Sequence, residues 1–167
     1  MLRWYIDQMV IDPFTRDLLV RGSAWLCFAC YLLTLIGWTR RVEPKLLRLL
    51  WTLGWGIFGI HVCLAFHVVH HWSHDAAWNA TKVQGGLGAG IYFNYLMLIV
   101  WLIDVLWWWL WPVVYLARNR WKSALIQGFL LFMWFNATVV FAHDLMWIVG
   151  ALGFLALAVC VIRASRR

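Results

Sequence analysis

The sequence predicts an all-α membrane protein in which five transmembrane helices form one bundle over residues 1–167. Hydrophobic residues make up 65% of the chain and charged residues only 13%, which is too few charges to cover a soluble domain of this size. The basic residues lie in short clusters between long apolar runs. That pattern is typical of membrane topology and not of a nucleic-acid-binding face. We therefore expect the lipid bilayer as a partner and no nucleic acid.

The elements follow from the order of these apolar runs. Residues 1–21 mix charged and aromatic side chains, which predicts a short interfacial segment that turns helical after Asp12-Pro13. The runs that follow predict spans at about residues 22–39, 46–72, 91–117, 123–142 and 144–162. The last two form one apolar stretch, which as a single helix would be about 60 Å long, twice the hydrocarbon thickness. Two antiparallel spans that turn near His143-Asp144 fit better. Residues 73–90 are predicted to be a glycine-rich loop.

Lysine and arginine residues predict the orientation of the bundle. The turns at residues 40–48 and 118–122 and the tail at 163–167 hold ten of the 14 lysines and arginines. Five spans place all ten on one side, and the positive-inside rule makes that side cytoplasmic. We expect the N-terminus outside and the C-terminus in the cytoplasm of a bacterium, with the chain in the inner (plasma) membrane.

Five of the six histidines lie between residues 61 and 75, at the predicted outer end of the second span. If one helix continues through this stretch, four of them share a face about 100° wide with Cys63. These four are His67, His70, His71 and His74. Two pairs then have i, i+4 spacing, which allows two imidazoles on one helix to reach one metal ion.

The predicted topology brings further ligands to the same outer side. The predicted metal ligands are His67, His70, His71, His74, Asp75, His143 and Asp144. Imidazole and carboxylate groups suit Zn, Cu or Fe. A haem b group is a specific alternative, and its axial ligands from two facing helices would be His143 with His67 or His71.

Other interpretations of these residues stay open. The histidines are also typical of a helix end at the lipid–water boundary, or of a proton relay or pH sensor. Cys63 could join Cys27 and Cys30 in a Cu(I) site, although buried cysteines in apolar helices usually pack as small hydrophobes. Asp104, inside the third span, is either functional or paired with Arg48 or another basic residue toward the cytoplasmic side.

Two resemblances concern the histidine stretch. His67-Val-Val-His70-His71 resembles a histidine box of membrane fatty-acid desaturases and hydroxylases, which implies iron binding. Those enzymes use several boxes around two irons, whereas this chain has one box and six histidines. The run from His67 to Trp109, with His-x-x-His-His-Trp-Ser-His at its start, resembles a group of short bacterial polytopic inner-membrane proteins. That resemblance implies no activity, only that this run is the functional part.

The leading hypothesis is a metal- or haem-binding membrane protein with a redox or metal-handling role at this extracytoplasmic His/Asp cluster. One alternative is an accessory or structural subunit of a larger membrane complex. Another is a proton-coupled carrier that uses the histidines with Asp104. Whether the chain is an enzyme stays open. Five spans are few for a transporter, so we expect a homo-oligomer or a subunit of a larger complex.

Overall fold

The computed structural model describes residues 12–142 and 144–165, apart from the side chain of Asp144. Residues 1–11 of the predicted interfacial segment and His143 lie outside these described residues. Within them the chain is helical and has no strand, and five helices are long and apolar enough to cross a membrane. The α-helices are α1 (Pro13–Thr39), α2 (Pro44–Leu64), α3 (His74–Gly85), α4 (Gly90–Leu110), α5 (Pro112–Leu116), α6 (Arg120–Phe135) and α7 (Asp144–Ser165).

The first span begins earlier than its apolar run. We predicted a span at 22–39 after an interfacial segment, but α1 is one continuous helix of 27 residues that begins at Pro13. The carboxylate of Asp12 caps it by accepting a hydrogen bond from the backbone N–H of Thr15 at 2.9 Å. Pro13 suits the first helical position because its missing N–H has no partner there. The predicted helix start at Asp12-Pro13 is therefore confirmed, and the boundary of the span moves by nine residues.

The predicted loop at 73–90 is wrong, because most of it forms α3. The side-chain oxygen of Ser73 accepts a hydrogen bond from the N–H of Ala76 at 3.2 Å, and Asp75 lies in the first turn, where a negative charge is favoured. Gly86 ends the helix with φ of 78°, a left-handed conformation that suits glycine. Short polar helices of this kind carry no long apolar run, so the hydropathy pattern does not reveal them.

The third predicted span, 91–117, divides at Pro112. Helix α4 ends at Leu110, and the short helix α5 begins at Pro112. A proline inside a helix removes one hydrogen bond and clashes with the preceding turn, so α5 takes a new direction. Residues of α5 and of the turn after it can then contact α4 instead of extending it.

The spans form a closed ring in the order α1, α2, α4, α6 and α7, with α7 returning to α1. Aromatic side chains fill its centre, and Trp51 of α2 and Trp101 of α4 have ring centroids 4.7 Å apart. Tyr31 of α1 contacts both rings, and Trp134 of α6 lies 6.0 Å from Tyr31. Many of the leucines, isoleucines and phenylalanines point outward and are exposed. Exposed apolar faces of this extent fit a lipid environment.

Two spans end in a π turn, a five-residue segment with wider i→i+5 hydrogen bonding. The first π turn is Ala65–Val69, after α2, and the second is Asn136–Val140, after α6. The N–H of His70 donates to the carbonyl of Ala65 at 3.1 Å, and the N–H of Phe141 donates to that of Asn136 at 2.9 Å. The two π turns therefore have the same backbone hydrogen-bond pattern and lie at corresponding ends of two spans.

The bundle has two ends with different chemistry. We call residues 40–43, 111–119 and 163–165 the basic end, where the guanidinium of Arg40 lies 3.9 Å from the thiol of Cys160. We call residues 70–89 with 141–142 the histidine end. There the side-chain amide of Gln84 donates to the carbonyl of Phe141 at 3.5 Å.

Candidate functional site

The histidine stretch is not one continuous helix, so the predicted shared face of four histidines is wrong. After the first π turn, His71 and Trp72 both have positive φ, of 49° and 60°. His74 then begins a separate helix, α3. Left-handed conformations are unusual for side chains this large, and two in succession reverse the chain. The i, i+4 relations His67/His71 and His70/His74 therefore do not exist.

Each of these histidines has its own surroundings. The indole N–H of Trp72 donates to Nδ1 of the exposed His67 at 3.2 Å. Nδ1 of His74 lies 3.1 Å from the hydroxyl of Tyr95 on α4. His61 faces α1, with its Nδ1 3.1 Å from the carbonyl of Val20. These contacts with tryptophan, tyrosine and backbone groups are typical of histidines that finish a helix end.

His70, just beyond the second span, is partly buried, and its pKa is shifted. Partial burial lowers the pKa of its imidazole, and the neighbouring charge of His71 lowers it further. The ring of Phe66 contacts it edge-on at 5.7 Å between centroids. Both effects favour the neutral form of the imidazole over the charged form.

No three histidine, cysteine, aspartate or glutamate side chains come together as a metal site within residues 12–142 and 144–165. Asp75 and His71 are exposed, and so is Cys63. Cys27 is buried, and its thiol donates to the carbonyl of Gly54 at 3.1 Å. The haem pair needs His143, which lies outside the described residues together with the side chain of Asp144. The metal and haem hypotheses therefore stay predictions.

The most densely connected polar group in the described chain is at the other end of the bundle. The carboxylate of Asp104 on α4 is fully buried and accepts hydrogen bonds from three side chains. Its Oδ1 accepts from the guanidinium of Arg118. Its Oδ2 accepts from the hydroxyl of Tyr115 at 2.8 Å and from the indole N–H of Trp51 at 3.0 Å. This Asp104 network joins α2, α4, α5 and the turn before α6.

The partner of Asp104 is Arg118 and not Arg48. The side chain of Arg118 is only 3% exposed, and it also lies over the ring of Tyr115 at 4.0 Å and donates to the hydroxyl of Ser123 at 2.7 Å. Arg48 instead stacks on the ring of Trp109 at 4.1 Å. A buried charge is stable when it is paired and its hydrogen bonds are satisfied, as both charges are here.

A cavity of about 350 Å³ lies beside the Asp104 network, between α1, α6 and α7. Helices α6 and α7 meet near the second π turn, where Phe135 and Phe154 are 5.6 Å apart between centroids. Toward the basic end the cavity lies between these two helices. Besides Tyr115 and Arg118 it is lined by Tyr31, Thr34, Leu35, Trp38, Thr39, Trp51, Trp108, Ser123, Gln127, Gly128, Leu131, Leu157 and Val161.

Two polar atoms in the cavity wall lack partners. The hydroxyl of Tyr31 and the side-chain oxygen of Gln127 are buried and have no hydrogen-bond partner among the described residues. Leaving a buried polar group unpaired costs about 1–3 kcal/mol, so most such groups are satisfied by protein, water or ligand. The cavity thus combines a mostly apolar wall with a small number of unmet hydrogen bonds.

A second, more polar cleft of about 550 Å³ adjoins the cavity at the basic end. It is lined by Arg40 and Arg41 after α1 and by Arg163 near the end of α7. Trp38 and Thr39 belong to the walls of both spaces. We call this space the arginine cleft. An apolar cavity therefore continues into a cationic one.

The sequence pattern singled out Asp104 but neither its partner nor the cavity. The signal for the partner is Pro112, because a span that stops there frees Tyr115 and Arg118 to turn back.

Comparison of the chain with protein-family models, with curated proteins and with solved structures gives no match. The evidence for function is therefore the geometry of the site.

Proposed function

We propose that this chain is a membrane-embedded binding protein for an amphipathic molecule taken up from the bilayer into the cavity between α1, α6 and α7. The observation that carries the proposal is an apolar cavity with two unpartnered polar atoms in its wall, from Tyr31 and Gln127. Its volume of about 350 Å³ lies within the usual range of ligand pockets.

The lining fits a ligand with an apolar body and one polar part. Aromatic and aliphatic side chains supply contact area, and a few polar groups fix the orientation, as in most small-molecule sites. The hydroxyl of Tyr31 can donate a hydrogen bond, and the side-chain oxygen of Gln127 can accept one. Both would be satisfied by a ligand group that carries a hydroxyl or an amide.

Two exposed lining residues support an entrance on the lipid-facing surface. Gly128 of α6 and Val161 of α7 belong to the cavity wall and are exposed on the outside of the bundle. A ligand dissolved in the bilayer could enter between these helices without passing through water.

Arg118 lines this site, and the Asp104 carboxylate behind it holds that part of the wall in place. Because the carboxylate is paired with a cation and accepts from Tyr115 and Trp51, it is held in one place. A proton-coupled carrier needs a carboxylate that exchanges its proton during the cycle. The buried pair favours binding over proton transfer.

The orientation, membrane and assembly belong to the proposal as well. The ten basic residues place the basic end in the cytoplasm of a bacterium by the positive-inside rule, with the N-terminus outside. The exposed apolar faces leave room for a second copy or for another subunit, so the protein could act within a larger complex. The ligand cavity faces the cytoplasmic leaflet in this orientation.

The experimental test is a substitution in the cavity wall that reduces the space for a ligand. Gly128 lies in its wall, and a Cβ atom added there meets no atom within 4 Å. Gly56 on α2 also has open space around an added side chain but is not part of the wall. We expect Gly128→Leu, and not Gly56→Leu, to remove most of the lipid that co-purifies with the full chain, as measured by mass spectrometry of gently solubilised protein. Equal lipid content in both variants would contradict the proposal.

A further inference from the structure

Three arginines line the arginine cleft, a space of about 550 Å³. Arg40 and Arg41 follow the last turn of α1, and Arg163 lies near the end of α7. Its remaining lining residues are Trp38, Thr39, Cys160 and Ala164, so the described part of its wall contains no carboxylate.

These like charges are not neutralised by the chain that the structure describes. The two ion pairs found there, Arg21–Asp17 and Arg118–Asp104, use other residues. Arg40 contacts the thiol of Cys160 at 3.9 Å, which offers no charge to offset its own. Grouped cations of this kind repel one another and attract an anion.

The chemistry of arginine favours a phosphate as that anion. A guanidinium donates two parallel hydrogen bonds to phosphate oxygens and is less strongly hydrated than a lysine ammonium. Basic pockets between transmembrane helices at the membrane surface are also where anionic lipid headgroups bind. Because the cleft shares Trp38 and Thr39 with the apolar cavity, one molecule can reach both spaces.

We propose that the arginine cleft binds the phosphate of an anionic phospholipid whose acyl chain occupies the adjoining cavity. This inference rests on the proposed function and names its ligand class. The arginines hold the headgroup at the membrane surface, and Trp38, at the junction, contacts the first carbons of the chain. Below the phosphate, an ester carbonyl of the lipid can accept a hydrogen bond from the hydroxyl of Tyr31.

The experiment measures lipid binding to the full chain by native mass spectrometry in detergent. Phosphatidylglycerol, phosphatidylcholine and inorganic phosphate are each titrated against the wild type, R40Q/R163Q and the matched control K45Q/R120Q. Lys45 and Arg120 lie at the same end, are exposed and do not line the cleft. Both double variants therefore remove two positive charges. The single variant R163Q, on an exposed last turn, replaces R40Q/R163Q if that protein does not fold.

We expect R40Q/R163Q to weaken phosphatidylglycerol binding by about tenfold or more, and the control to change it much less, because each cation near an anionic lipid adds about a fivefold effect. Equal weakening in both variants would overturn the inference, since it would show only surface attraction. Wild-type affinity for phosphatidylcholine equal to that for phosphatidylglycerol would also overturn it. So would inorganic phosphate binding as tightly as the lipid, which would indicate a site for free phosphate.

Gly128→Leu separates this inference from the proposed function. If it lowers phosphatidylglycerol binding while R40Q/R163Q matches its control, the cavity binds lipid and the headgroup assignment fails. If Gly128→Leu has no effect, the cavity is not the binding place and the proposed function fails, whatever the arginines do.

Discussion

Toward the basic end, one carboxylate and one guanidinium lie inside the bundle, and three side chains donate hydrogen bonds to the carboxylate. At the histidine end, the titratable side chains lie on a turn and a short helix, each next to a different aromatic or backbone partner. Asp104 accepts from three side chains on three elements, whereas His67 and His74 each have one side-chain hydrogen-bond contact in the described chain. Polar residues that are close together in the sequence therefore do not necessarily form one hydrogen-bond network. Such a network forms where the helices that carry the polar residues pack against one another.

The largest loss of stability is expected from a substitution in the Asp104 network. Arg118→Met should destabilise the protein by about 3–5 kcal/mol, because it leaves the Asp104 carboxylate buried without its cation. Thermal unfolding of the purified protein measures this. Arg120→Met is the control, since Arg120 is exposed and lies over the ring of Trp121 at 5.9 Å, away from Asp104. A loss below about 1 kcal/mol for Arg118→Met would show that the basic end does not depend on the pair.

A smaller loss of stability is expected from a substitution at Gly150, where the backbone of α7 meets that of the second π turn. A Cβ atom at Gly150 of α7 would lie 2.5 Å from the backbone carbonyl oxygen of Thr138 in the second π turn. Gly150→Ala should therefore destabilise the protein by about 1–3 kcal/mol, as overpacking usually does. Gly59→Ala, where an added Cβ meets nothing within 4 Å, is the control and should not destabilise. Similar unfolding temperatures for the two variants would argue against close packing there.

Metal content tests the histidine end directly. Because no three ligands converge within the described residues, the predicted metal site requires His143 or Asp144. If purified protein carries stoichiometric Zn, Cu or Fe, His143→Ala should remove it, and His61→Ala should not, because His61 faces Ser23 and Val20 on α1. Elemental analysis with a visible spectrum measures both the metal and haem. Retention of metal by His143→Ala would mean that this site is built in another way.

The smallest effect concerns His70, just beyond the second span. Its pKa is lowered by burial and then by His71, so the folded protein takes up this proton less readily than the unfolded chain. The contribution of His70 to stability is complete above the unfolded pKa of about 6.5 and is lost as the pH falls through the lower folded pKa. Unfolding temperatures measured from pH 7.5 to about 5 should fall less steeply in His70→Gln. An unchanged slope would show that His70 does not sense pH.

Much of the fold follows from the sequence because it depends on hydropathy. The prediction of five helices long and apolar enough to cross a membrane is confirmed, because each apolar run is long and is bounded by charges, glycine or proline. Asp104 could be singled out for a similar reason, since a carboxylate inside an apolar helix needs a partner. These inferences use only the properties of one segment at a time.

The rest depends on how segments meet. The reversal at His71 and Trp72 contains neither glycine nor proline, so the helical periodicity of the sequence predicts one helix that continues through it. The available signal for a new helix was Ser73 with Asp75, because both residue types are typical of a helix start. The cavity depends on the angle between α6 and α7, which no residue pattern encodes. The arginine cleft joins residues 120 positions apart in sequence, as the contact between Arg40 and Cys160 shows.

The two π turns also affect how this protein can tolerate change in its length. Each holds one residue more than an α-helical turn would, so deleting a single residue from Ala65–Val69 would restore α-helical geometry. The span would stay helical, and the residues after it would keep about the same orientation relative to the ring, because the wider turn is what absorbs the extra residue. Insertions and deletions at these two places are therefore a route by which the length of a span could change by one residue while the aromatic centre stays unchanged.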